Sequence, residues 1–268
     1  MKKSIGVFDS GFGGLTVLRE IIKENPQYDY IYLGDTARVP YGTRSKDVVY
    51  DFTKQALDFL FKEGCELVIL ACNTASSQVL RNIQQNYLPK NYPNKNVLGV
   101  LIPIAEEVGV EGKRVGVMAT EGTVSSKSFT REIRKINNDI EVFESACPLL
   151  VSIIESSEFD EKIIDLVLRK YLGGLIEKDI DTLILGCTHY DMLLNDIKKR
   201  LPENINIISG GSAVAEKLKL YLNNHPNLRD SLGKNSERKF YTTGMTDRFQ
   251  NLGNKFFGEE VEVKNITL

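Results

Sequence analysis

Two of the four cysteines in this 268-residue sequence sit in frames that echo each other. The first frame is Val68-Ile69-Leu70-Ala71-Cys72-Asn73-Thr74-Ala75, and the second is Leu183-Ile184-Leu185-Gly186-Cys187-Thr188-His189-Tyr190. Each is a continuous apolar run of strand length that stops at a small residue and a cysteine, then turns polar. Such a run reads as a parallel strand buried on both faces. In open α/β sheets the ligand crevice lies just beyond the carboxyl ends of strands, so both thiols stand where chemistry is done. A single strand-end cysteine is commonly just a small buried residue. Two in one local frame weigh against that reading, whereas Cys65 and Cys147 lack the frame and read as structural.

Several chemistries could use the pair. Disulfide exchange usually employs Cys-x-x-Cys, which is absent. Zinc could take Cys72, Cys187 and His189, but the spacing matches no closely paired ligand set. A thiol hydrolase with Cys187 and His189 leaves the second frame without a role; His225 lies in a polar stretch and reads as solvated. Inverting a carbon stereocentre uses both thiols. One base removes a proton from one face while an acid delivers a proton to the other, and the two exchange roles when the reaction reverses. Each thiol then needs a neighbour to manage its proton, for which Asp9 and His189 are placed.

The elements that position these residues alternate strand and helix. Residues 5–8 read as a buried strand, and Asp9-Ser10-Gly11-Phe12-Gly13-Gly14 as a turn feeding an amphipathic helix. The turn lacks the third glycine of a dinucleotide fingerprint and the Gly-Lys-Ser/Thr of a P-loop; its backbone suits a carboxylate at a helix N-terminus. Further strands are expected at 30–33, 67–71, 114–118, 140–143, 182–186, 205–208 and 239–242, with a tail strand near Val261 and an apolar run at 97–102. Residues 86–96, with two prolines and several asparagines, read as a loop, as do the polar residues 223–237. The pattern specifies an α/β fold: two similar domains with mostly parallel sheets flanked by helices, and the active site in the cleft between them. The expected division is 1–96 plus 209–268 for the first domain and 97–208 for the second.

Composition narrows the class. Hydrophobic residues at 42% and charged residues at 26% are ordinary globular values. A net charge of −2 gives no overall basic field for nucleic acid or anionic lipid. Four cysteines are too few for a disulfide scaffold. The apolar run at the N-terminus is broken by Asp9, too soon for a secretory segment, and no stretch is long enough to span a bilayer. A cytoplasmic protein without membrane or nucleic-acid partners is expected.

Four motifs in order, the Asp9 turn continuing through Leu15-Thr16-Val17, Pro40-Tyr41-Gly42-Thr43, and the two cysteine frames, resemble the cofactor-independent aspartate/glutamate racemase family. Phe240-Tyr241-Thr242-Thr243-Gly244 extends the resemblance to about residue 245. The resemblance implies two α/β domains, commonly a homodimer, and no cofactor or metal. It implies that Cys72 handles the α-proton of D-glutamate and Cys187 that of L-glutamate, with Asp9 and His189 assisting and Glu155 supporting His189. Asp9, Ser10, Pro40, Tyr41, Gly42, Thr43, Asn73, Thr74, Thr120, Thr123, Thr188 and Glu155 would contribute to substrate binding. The family's role is to supply D-glutamate for bacterial peptidoglycan; aspartate is the rival substrate. Thr120 and Thr123 would equally serve as a helix cap. Ala119 and Ser209-Gly210-Gly211 depart from the family's commoner residues.

Overall fold

The structure, a computed structural model, describes residues 3–108, 112–156, 160–244 and 246–268. Met1 and Lys2, the start of the segment read as too short for a secretory leader, lie outside these. Among the described residues ten strands form two sheets: β1 (Ser4–Asp9), β2 (Tyr30–Gly34), β3 (Cys65–Leu70), β4 (Asn96–Gly99), β5 (Arg114–Ala119), β6 (Glu141–Ala146), β7 (Thr182–Gly186), β8 (Asn206–Ser209), β9 (Arg238–Thr242) and β10 (Val263–Asn265). The first sheet runs β10-β9-β2-β1-β3-β4 and the second β6-β5-β7-β8. Every pairing is parallel.

Both sheets contain the same unit. Its first strand is central, its second lies on one side, and its third and fourth lie on the other, giving 2-1-3-4 and 6-5-7-8. The direction of winding therefore reverses beside β1 and beside β5, and such a reversal opens a crevice at the strands' carboxyl ends. Cys72 follows β3 and Cys187 follows β7, the third strand of each unit. The sequence echo is thus a topological equivalence. β9 and β10 extend the first sheet on its β2 side.

Continuous burial explains why the apolar runs became strands. All residues of β1, β2 and β7 are buried, because helices cover both faces of these sheets. The helix Gly14–Glu24 packs its Leu15, Leu18 and Ile21 face inward and lies mainly against the helix Gly210–Asn224.

Three local expectations shift. The apolar run 97–102 contains two elements: β4 ends at Gly99 and the helix Leu101–Val108 begins two residues later. Since β4 pairs with β3, the boundary expected at residue 97 falls inside a strand of the first sheet. Residues 88–91 form a short helix despite Pro89, directly following the π-helical turn Ile83–Tyr87. The polar stretch after residue 222 continues the long helix to Asn224 and adds the helix Pro226–Ser231. The tail strand expected near Val261 is Val263–Asn265.

Candidate active site

Strand register brings the chemistry together. Phe8 pairs with Leu70, so Ser10 comes level with Cys72, and the Cys72 thiol donates to Ser10 Oγ at 3.5 Å. In the second sheet Ala119 pairs with Gly186, which brings Thr120 level with Cys187. Both cysteines are free and almost fully buried. They line one small cavity of about 290 Å³, together with Ser10, Pro40, Tyr41, Gly42, Asn73, Thr74, Thr120, Thr188 and His189. Val39 and Val151 complete its wall; apolar residues in a loop and a helix carried no signal of this in the sequence.

Four expected residues lie off the cavity wall. Asp9 is fully buried behind it; its Oδ2 accepts from the Gly11 amide at 3.0 Å and its Oδ1 from the Thr188 hydroxyl at 3.4 Å. Glu155 reaches the site through His189, whose Nε2 lies 2.9 Å from Glu155 Oε1. Thr123 is buried beneath Thr120, 3.1 Å between hydroxyls. Thr43 is exposed and borders a wider outer groove of about 1140 Å³ instead. That groove is larger, but neither cysteine lines it, so the chemistry belongs to the small enclosed cavity.

Thr120 does two things at once. It caps the helix Glu121–Ser126 by accepting from the Thr123 amide at 3.3 Å. Its hydroxyl also lies 2.9 Å from that of Thr74, joining the two cysteine frames' surroundings. The Gly122 amide donates to the Gly42 carbonyl at 2.8 Å, and a Cβ on Gly42 would come within 2.5 Å of Thr120 Cβ. Glycine is what lets the two halves close there. The hydroxyl of Tyr41 donates to the buried Asp35 carboxylate.

The electrostatics of the two thiols differ. Burial pushes the Cys72 thiol up to about 12, the Asp9 carboxylate adds to this, and the bond to Ser10 opposes it. At neutral pH Cys72 is therefore a thiol. Around Cys187 the neighbour is His189, with Nδ1 at 3.9 Å from the sulfur. Burial works against charge on His189, but Cys187 and Glu155 outweigh it and hold the imidazole well above its usual range. Burial raises the Asp9 carboxyl, against the pull of His189 and the Gly11 and Gly14 amides. One side of the cavity is neutral and the other holds a proton on a base, an arrangement suited to moving protons across the space between. Among the described residues no three of His, Cys, Asp and Glu are grouped to hold a metal ion, and no helix is long and apolar enough to cross a membrane.

Comparison with known proteins agrees with this geometry. Residues 5–218 match the family described as Asp/Glu/Hydantoin racemase. A glutamate racemase of Persephonella marina is 40% identical over 267 residues, spanning 99% of this chain and 97% of that one. The crystal structure of a Francisella tularensis glutamate racemase in complex with D-glutamate superposes with a TM-score of 0.89 at 33% identity, covering 99% of this chain and 98% of that one. Glutamate racemase isoform RacE1 of Bacillus anthracis gives 0.90 at 34% identity, with the same coverage. The chain belongs to the Asp/Glu/Hydantoin racemase family, a family of isomerases.

Proposed function

We propose that this racemase-family chain interconverts L- and D-glutamate by two-base proton transfer between Cys72 and Cys187. The observation that carries the reading is that two thiols, each after the third strand of an equivalent unit, line one enclosed cavity.

The α-proton of L-glutamate passes to the Cys187 sulfur, while the Cys72 thiol gives its proton to the opposite face of the same carbon. The C–H electron pair stays on carbon as a carbanion and is taken up in the new C–H bond, so the product is D-glutamate. The reverse reaction exchanges the roles. His189, held protonated by Cys187 and Glu155, is the charge partner that a thiolate at Cys187 needs. Asp9 serves the Cys72 side, and the high proton affinity of Cys72 makes it the resting acid. Ser10, Thr74, Thr120 and Thr188 offer hydroxyls to the two carboxylates. The buried Asn73 Oδ1 has no partner among the described residues and is an acceptor for the substrate ammonium. Expelling water strengthens each of these contacts.

The reading extends to a cytoplasmic enzyme acting without cofactor, paired as a homodimer, and supplying D-glutamate for peptidoglycan. The two sheets are taken as the cores of two domains. The test uses metal-free protein in deuterated water with both enantiomers of glutamate and of aspartate. Optical rotation and α-proton loss are followed together. Deuterium entry with loss of rotation for glutamate alone supports the reading; a response to aspartate alone replaces the substrate; no exchange under reducing conditions removes the reaction.

A further inference from the structure

We propose that Thr243, just past the end of β9, is a positioning residue for substrate, acting through Asp35 and Tyr41 on the 39–42 loop that walls the cavity. This rests on the racemase reading above for what the loop holds.

Asp35 follows β2 and its carboxylate is completely buried. Among the described residues it accepts side-chain hydrogen bonds from Tyr41, from Arg38 Nε at 2.6 Å, and from the Thr243 hydroxyl at 2.7 Å. Of these, Thr243 engages Oδ1, while the other two share Oδ2. Thr243 is itself fixed on both sides. Its amide donates to the Gly34 carbonyl at 3.2 Å, and its hydroxyl oxygen accepts from the Ala37 amide at 3.1 Å. The neighbouring Thr242 hydroxyl lies 2.6 Å from that of Thr36. The 242–243 segment thus braces the turn from β2 into the cavity loop. At the far end of the brace the Tyr41 ring is wedged between Phe8 and Phe52, and Tyr41 lines the cavity together with Cys72.

A buried carboxylate that loses one of its donors must find another or move. Here movement displaces Tyr41, and with it one wall of the site. Supporting groups of this kind hold the residues that touch substrate in register.

The test compares Thr243→Val, Thr243→Ser, Tyr41→Phe and the Val/Phe double variant in the full chain, with glutamate kinetics in both directions. Thr243→Val is expected to raise KM about tenfold with kcat within about twofold, the signature of lost substrate holding. Thr243→Ser keeps wild-type values, and Thr243→Val adds little on the Tyr41→Phe background because both break one chain of contacts. Iodoacetamide labelling mapped by mass spectrometry supplies a readout independent of substrate. Thr243→Val speeds labelling of Cys72 and Cys187 several-fold while Cys65 and Cys147 stay protected. Unchanged KM with unchanged labelling overturns the proposal, as does equal acceleration at all four cysteines or full additivity with Tyr41→Phe. If wild-type protein does not racemise glutamate, the substrate reading fails, and labelling alone still decides the brace.

Discussion

The hydroxyl of Thr188 donates to Oδ1 of Asp9 at 3.4 Å, joining residues 179 positions apart. The acid beside Cys72 is thereby tied to the frame of Cys187. Charge follows the same route: His189 pulls the Asp9 carboxyl down, and Asp9 pushes the Cys72 thiol up. The two proton-handling sides are one electrostatic unit.

Asp9→Asn tests that coupling. Removing the carboxylate takes away the second cause of the high Cys72 value while burial, the larger cause, remains. Cys72 is expected to alkylate faster at a given pH near 8 to 9, about its ordinary titration range, yet still more slowly than a free thiol. Racemisation is expected to fall about a hundred- to a thousandfold, as loss of a proton-managing group does. Unaltered labelling of Cys72 would separate Asp9 from the thiol.

Cys72→Ser and Cys187→Ser should each reduce racemisation by about a thousandfold or more, because neither proton path is complete without both. Enantiomers have equal free energy, so kcat/KM must fall by one common factor in the two directions whichever cysteine is changed. Cys65→Ala is the control: Cys65 opens β3 in the core, far along the strand from the cavity, and its loss is expected to leave turnover unaltered. Normal turnover by either serine variant sinks the two-base scheme.

Glu155→Gln probes the His189 charge. Cys187 and Glu155 hold the folded His189 above the ordinary histidine value despite its burial, so the imidazolium contributes stability that is fully present below the unfolded value of about 6.5 and is lost as pH rises through the folded one. Removing Glu155's charge lowers the folded value. The difference in Tm between wild type and variant is therefore expected to be largest near pH 6 or just below, roughly where free histidine is mostly charged, and to shrink towards alkaline pH. The alkaline limb of the activity profile moves to lower pH in the variant. A Tm difference that grows with pH would contradict the assigned charge state.

How far the sequence reveals this site depends on how local each signal is. The cysteine frames are legible because a buried parallel strand and the polar residues after it are contiguous in sequence. Pro40, Tyr41 and Gly42 are legible as a turn, but the turn's outer residue, Thr43, faces the wider groove because successive loop residues point in different directions. Val39 and Val151 are invisible: an apolar residue carries no mark of whether it faces a core or a ligand. Asp35 and Thr243 are also silent, since their bond spans 208 positions and forms only when β9 is laid against β2. At 97–102 an apolar run conceals the change from strand to helix, since so short a run shows neither period, although β4 is largely half-buried and Ile102 is exposed.

Gly13→Ala bears on how closely the first turn approaches the second cysteine frame. A Cβ at residue 13 would lie 2.3 Å from Thr188 Oγ1, 2.9 Å from Thr188 Cβ and 2.6 Å from His189 Nδ1. None of these is the far end of a flexible chain. The His189 ring is pinned by Glu155 at 2.9 Å and stands edge-on to Phe256 at 5.7 Å, so the two halves must separate or the ring must turn. Either response moves Nδ1 away from the Cys187 sulfur. Activity is expected to fall about a hundredfold, with stability lowered by about 1–3 kcal/mol from overpacking. Kinetics and thermal unfolding of the purified variant check both values. Near-normal turnover at unchanged Tm would mean that His189 can be displaced without consequence, and its place beside Cys187 would then have no part in proton transfer.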